Sequence, residues 1–345
     1  MHLRKERKVM RVYAVVLTYN RQTLLKQCLE AVYRQSRPCD GVIVIDNAST
    51  DGTERMLMDG SFPGMEVHIL SNNIGAAGGF SAGFRIAYQA GADFVWMMDD
   101  DVIPDDDALE RLMDAESLLD AKRVDHAFLL STARTETGLM TNTPSIDQRL
   151  NAIAYEGWPM LLEHGLAPVS RATFVSILVP RATIEKHGLP IAQMFIWGED
   201  TEYTLRMTRD VPGYMVGNSK VQHLRQTSGA LSIRTETNAT RLNYHRHFIR
   251  NELYVAAKYR GARALLKCRL RQLRLIRQFV FSGQLNKAYI VFQGLMESFN
   301  FSPVVEAADS PLENLGVTSR LMGRSTSVAR PESVVYESGE VAAVP

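Results

Sequence analysis

Trp96-Met97-Met98-Asp99-Asp100-Asp101-Val102 decides how the rest of this chain is read. The apolar run from Phe94 to Met98 is bracketed by turn signals, Gly91-Ala92-Asp93 before it and Pro104 after it. A bounded run of that length reads as a buried strand. It stops at three consecutive carboxylates. In open α/β sheets, ligands collect beyond the carboxyl ends of strands. Three Asp there make a negative well suited to a hard divalent cation, which takes oxygen ligands. Acidic triplets also occur in plain solvated loops, and Asp105-Asp106-Asp107 is the internal comparison. It follows Pro104 and opens the helical pattern Ala108 to Met113, so its carboxylates offset a helix dipole. The first triplet has no helix to cap and is assigned to a cation.

Outward from this strand the pattern alternates. Val12 to Leu17 reads as a first strand, followed by helical spacing of Leu24, Leu25, Cys28, Leu29 and Val32. Val42 to Ile45 is a second strand ending at Asp46-Asn47-Ala48-Ser49-Thr50-Asp51-Gly52, with a short helix from Thr53. Val67 to Leu70 is a third, ending at Asn72-Asn73-Ile74-Gly75-Ala76-Ala77-Gly78-Gly79, with a helix from Phe80 to Ala90. Strand and helix joined by short links argue for an α/β fold with a mostly parallel sheet, whose polar strand ends share one edge. Ala172 to Val179 reads as a further strand, and Tyr214 to Val216 and Ser219 to His223 as two short ones around Gly217-Asn218. Glu202 to Thr208 reads as a helix.

Composition narrows the class. Lys+Arg 39 against Asp+Glu 38 leaves a net charge of +1, which gives no global case for a nucleic-acid partner. Cys28, Cys39 and Cys268 are too few and scattered for a disulfide framework or a zinc site. A cytoplasmic location is expected: Val12 to Leu17 is too short for a signal peptide, and no run reaches the roughly 20 apolar residues of a membrane span.

The strand ends carry the chemistry. Tyr19 offers a stacking ring and Arg21 a phosphate contact. Asp46 offers a carboxylate to a base or ribose. Gly75, Gly78 and Gly79 would let backbone approach a ligand, without the spacing of the dinucleotide fingerprint. Together with the Asp99 triplet they suggest a nucleotide diphosphate held by a cation.

Val15-Val16-Leu17-Thr18-Tyr19-Asn20-Arg21, the Asp46 and Asn72 loops and the Asp99 triplet, taken in that order, resemble the successive motifs of family 2 glycosyltransferases, which have a GT-A fold. The Asn73 to Gly79 stretch and the triplet look most like bacterial galactofuranosyltransferases, then rhamnosyltransferases. The resemblance implies an inverting, metal-dependent transfer from a sugar nucleotide, with UDP-galactofuranose the expected donor and dTDP-rhamnose the alternative. It places Thr18, Tyr19, Arg21, Asp46, Asn73, Gly75, Asp99 and Asp100 on the nucleotide. Asp99, Asp101 and His223 would ligate Mn²⁺ or Mg²⁺. Asp200, in Trp197-Gly198-Glu199-Asp200, would be the base that takes the acceptor's proton. Trp197 and Glu199 would face the sugar or acceptor. Tyr244, Arg246, Arg250 and Asn251 resemble a family segment to which no chemistry is assigned.

A strand ending in Asp99-Asp100-Asp101-Val102 also fits the loose pattern of haloacid-dehalogenase-type phosphatases, but those carry it on an early strand, and it would leave Asp46 and the Asn-Gly loop unused. A non-catalytic glycan-binding module would need no base. The expected organisation is a basic tail over 1–10, a GT-A domain over 11–232, a helical basic region over 233–304 and a disordered tail over 305–345. Between Leu253 and Met296 there is no Asp or Glu, yet nine Lys or Arg lie from Lys258 to Lys287. Such an amphipathic stretch suits anionic lipid, hence a peripheral place on the inner membrane face and a lipid-linked glycan acceptor in cell-surface polysaccharide synthesis.

Overall fold

The structure is a computed structural model and describes residues 10–224 and 231–322. The expected basic tail, apart from its last residue, and the chain after 322 lie outside the described residues. In chain order the catalytic half runs β1 (Val12–Thr18), α1 (Gln22–Tyr33), β2 (Gly41–Asp46), α2 (Thr53–Leu57), β3 (Met65–Leu70), α3 (Gly75–Gln89), β4 (Phe94–Asp99), β5 (Val102–Pro104), α4 (Ala108–Lys122) and β6 (Leu129–Arg134). Then come β7 (Ser145–Ile146), β8 (Leu166–Arg171), β9 (Ile177–Pro180), α5 (Arg181–His187), α6 (Glu199–Met207) and β10 (Gly213–His223). The remainder is α7 (Ala239–Val255), α8 (Gly261–Phe281), α9 (Leu285–Glu297) and β11 (Ser319–Met322).

One sheet organises the chain, in the order β11-β3-β2-β1-β4-β9-β6-β10-β8-β7. β3, β2, β1 and β4 are parallel, which brings the ends of β1, β2 and β4 to one edge. Both faces of these strands are buried, as parallel strands require. Ala14, Val16, Trp96 and Met98 face α1 and α4, while Val15, Leu17, Val95 and Met97 face α3. From β9 onward the sheet is mixed, because β9 and β8 run antiparallel to their neighbours.

Several expectations shift here. Tyr214 to His223 is one strand with an irregularity between Val216 and Lys220, not two. The strand expected over 172–179 is confined to β9, and α6 begins at Glu199, three residues early. The tail expected to be disordered from 305 is ordered to 322. Buried Arg85 of α3 pairs with Glu306 and donates to the carbonyl of Pro311. β11 then adds antiparallel to β3 and covers the sheet edge. A buried guanidinium needs such partners, and composition alone could not show one waiting on α3. α7, α8 and α9 build their own small core around Leu253, Phe279, Val291 and Leu295. Among the described residues no helix is long and apolar enough to cross a membrane.

Candidate active site

The loops after β1 and β2 are laced together. Asn20, at φ 54°, donates its backbone N–H to Ser49 Oγ at 2.8 Å and accepts from Thr50 N at 2.7 Å. Asp46 accepts from Ser49 N through Oδ1 at 2.9 Å, while its buried Oδ2 meets no donor among the described residues. Asp46 is 0% exposed, and burial holds its carboxyl above the usual range. An unmet acceptor there is suited to a ligand's N–H or O–H. Tyr19, one residue past β1, is 40% exposed.

Gly75 and its neighbours have a packing role that the sequence did not show. α3 begins at Gly75, and Gly79 and Gly83 lie against Leu17 and Val15 of β1. Gly75 itself, at φ 76°, is pressed so closely on Phe195 that an added Cβ would stand 2.1 Å from that carbonyl oxygen. Asn73 Oδ1 accepts from Gly75 N at 2.8 Å, and Asn47 bridges Ile74 N and the Gly75 carbonyl. The glycines therefore allow helix, sheet and the 195 loop to touch.

The triplet divides its labour. Asp100 accepts from Thr18 Oγ1 at 2.7 Å and from Arg21 at 3.1 Å. Arg21 also reaches Asp101 Oδ2 at 2.8 Å. The guanidinium expected on a phosphate is thus committed to two carboxylates. Burial still pushes the Asp100 carboxyl up to about 6, against the pull of Arg21 and Thr18. Asp99 is held well above the usual range by burial and by repulsion from Asp101 and Asp100. Asp101 goes the other way: burial is outweighed by His223 and Arg21, which lower it.

β5 explains why His223 is present. It pairs antiparallel with β10, setting His223 opposite Val102. His223 Nε2 then stands 3.2 Å from Asp101 Oδ1, a buried oxygen that no formed hydrogen bond reaches. Nδ1 of the ring is 2.8 Å from Asn142 Oδ1. The amide oxygen only accepts, so Nδ1 carries its hydrogen, and Nε2 is left for a proton or a cation. An imidazole nitrogen and a carboxylate oxygen are a donor pair that transition-metal cations take. Asp99 is not drawn into this pair: among the described residues, no three His, Cys, Asp or Glu side chains stand together as a ready metal cluster.

Asp200 lies in the first turn of α6, where a helix N-terminus favours a carboxylate. Thr201 N donates to its Oδ1 at 2.5 Å. Burial raises its carboxyl, with Thr201 and Arg171 opposing. Glu199 is buried with Oε2 unmet, and burial and Asp200 hold it well above the usual range. Asp99, Glu199 and Asp200 repel one another, so the triplet and the acidic helix turn form one electrostatic site. Trp197 is engaged by its neighbours: it packs on Tyr244 and His245, with Arg241 over the ring at 5.4 Å.

Two side chains were missed in the sequence, and a third was noted without a role. Asn142 orients His223. Arg171 acts on Asp200. Asn251 directs Nδ2 to the carbonyls of Met194, Ile196 and Trp197, clamping a loop in which Phe195 and Trp197 both have positive φ. Asn251 was noted only by resemblance. Asn142, inside a loop-rich stretch, carries no sequence signal.

Residues 13–121 match the family described as Glycosyl transferase family 2. This segment is a family 2 glycosyltransferase domain. The chain is 30% identical over 213 residues to galactofuranosyltransferase GlfT1 of Mycolicibacterium smegmatis, covering 57% of this chain and 65% of that protein. It is 30% identical over 138 residues to the undecaprenyl-phosphate mannosyltransferase of Micrococcus luteus, covering 39% of this chain and 54% of that protein. Both curated relatives are therefore spanned for less than two thirds of their length. The crystal structure of GalNAc-T7 with UDP, GalNAc and Mn²⁺ superposes with a TM-score of 0.53 at 12% identity, over 74% of this chain and 50% of that one. That likeness supports the GT-A fold of the family 2 domain.

Proposed function

We propose that this chain is an inverting, cation-dependent glycosyltransferase that moves a hexosyl group from a nucleotide diphosphate to a hydroxyl of a glycan acceptor. The observation that carries the reading is the Asp101–His223 pair, 3.2 Å apart past the end of β4, with buried Glu199 and half-buried Asp99 and Asp200 near enough to raise carboxyls across the site. UDP-galactofuranose is the donor we favour, supported by similarity to the proteins named galactofuranosyltransferase. A lipid-linked acceptor is favoured by the relative named for undecaprenyl phosphate.

In this reading Asp46 accepts a hydrogen bond from the nucleotide through its free Oδ2, and Tyr19 lies against the base. Asp101 and His223 would hold the cation, with Asp99 next to them. The bound cation supplies neutralisation of the charge that develops on the departing diphosphate. Asp200 accepts the proton of the acceptor hydroxyl. The hydroxyl oxygen forms a bond to the anomeric carbon from the face opposite the diphosphate. The bond from that carbon to the diphosphate oxygen breaks, and its electron pair leaves with the phosphate. One displacement inverts the centre, and a single base suffices.

The test is a thermal-shift and hydrolysis screen of the purified chain across UDP- and dTDP-sugars, with Mn²⁺, Mg²⁺ or chelator. UDP-galactofuranose should stabilise and be consumed only with cation. A response to dTDP-rhamnose instead would reject the donor assignment. A response to no sugar nucleotide would reject transfer altogether.

A further inference from the structure

We propose that the outward faces of α8 and α9 form a single docking surface for an anionic lipid bilayer. The inward side of α8 is occupied. Phe279 and Gln272 are buried, and Arg271 is ion-paired to Glu252 of α7. The outward side is not. Leu266, Leu270 and Leu273 recur at the spacing of one helix face and are 58%, 43% and 52% exposed, and Phe281 at the helix end is 83% exposed. α9 repeats the pattern: Tyr289, Phe292 and Met296 share a face and are exposed. α8 and α9 pack on one core, and Arg269 of α8 lies over the ring of exposed Phe299, just past α9, at 4.7 Å. Soluble proteins rarely leave so continuous an apolar surface uncovered.

Charge chooses the occupant. Arg263, Lys267, Arg274 and Arg277 are exposed along the fringe of the α8 stripe. No acidic residue occurs between Leu253 and Met296 to neutralise them. A second copy of this chain meeting face to face would bring the same positive fringe against itself. A bilayer offers hydrocarbon to the leucines and phosphate to the arginines at the depths each needs. α8 has 21 residues and so is about 31 Å long. With its charges it lies in the interface plane and does not span.

The experiment is co-sedimentation of the full chain with vesicles, without nucleotide or acceptor, so its outcome is separate from that of the transfer reading. Binding should be strong to phosphatidylcholine vesicles containing phosphatidylglycerol, weak to phosphatidylcholine alone, and should fall with salt. Arg274→Gln with Arg277→Gln should weaken the partition by roughly 25-fold, about fivefold for each charge. Leu270→Gln with Leu273→Gln should weaken it at every salt concentration. Equal binding to both vesicles, no binding, or wild-type binding by either double variant would overturn the proposal. So would a chain that ignores vesicles and is a dimer in solution, falling to a monomer with Leu270→Gln and Leu273→Gln.

Discussion

Arg21 is where this site can be tested without knowing its substrate. Its guanidinium contacts Asp100 at 3.1 Å and Asp101 at 2.8 Å, and both carboxylates are nearly buried while Arg21 is 31% exposed. Arg21→Met keeps the stem and removes the charge. Breaking a fully buried pair costs about 3–5 kcal/mol, and an exposed pair is worth about 0–1 kcal/mol. A guanidinium one-third exposed falls between, so the expected loss is about 2 kcal/mol at neutral pH. The loss should shrink as pH falls. Asp100 titrates at about 6 in the folded protein, above its unfolded value of roughly 3.9. Its ionised form is therefore the costly one, and protonation relieves the variant more than the parent. A divalent cation should do the same by another route, since it replaces the missing positive charge. The assay is urea unfolding in chelator and in Mn²⁺, at pH 7 and pH 5. The variant should gain more from Mn²⁺ than the parent does. An unchanged midpoint in chelator would refute the view that Arg21 neutralises the triplet. A deficit that Mn²⁺ leaves untouched would refute a cation site at these carboxylates.

Three further outcomes are expected. Asn142→Ala frees the His223 ring and should weaken Mn²⁺ binding by about 10–100-fold, read by paramagnetic resonance titration; undiminished affinity would remove Asn142 from the site. Gly75→Ala combines a left-handed backbone with a clash on the Phe195 carbonyl and should destabilise by about 3 kcal/mol, and a urea midpoint within error of the parent would contradict that packing. Asp200→Asn should abolish transfer while donor binding by calorimetry persists. In the parent, burial raises the Asp200 carboxyl, and a base must be ionised, so kcat should climb with pH through a limb above the ordinary Asp range near 3.9; a rate flat down to that range would sink Asp200 as base.

What was legible in the sequence follows from locality. The alternation of apolar runs with Gly, Asn and Asp clusters exposed the β1 to β4 half, because each strand end announces itself within a few residues. Asp46, Asp99 and Asp101 stand at or just past such ends. The Gly-rich stretch was visible as well, but its packing role was not. A glycine beside a ligand and a glycine beside Leu17 or the Phe195 carbonyl look identical until the partner is placed. The order of residues 305–322 was invisible for a related reason: its partner, Arg85, sits more than 200 positions earlier inside an apolar helix.

The same reasoning separates His223 from Asn142. Once motifs fix the first half of the sheet, a histidine closing a late strand is a fair candidate ligand. Which nitrogen it turns toward Asp101 depends on what holds the other one, and that is an amide on an irregular loop 81 residues away. Asn142 adopts φ 50°, and its Nδ2 is held by Thr173 Oγ1 at 3.2 Å, which fixes Oδ1 toward the ring. The imidazole is thus placed by a strand end, and its orientation is set by a loop. A substitution that spares every motif residue but moves this loop would leave the donor set intact on paper and the Nε2 lone pair aimed elsewhere.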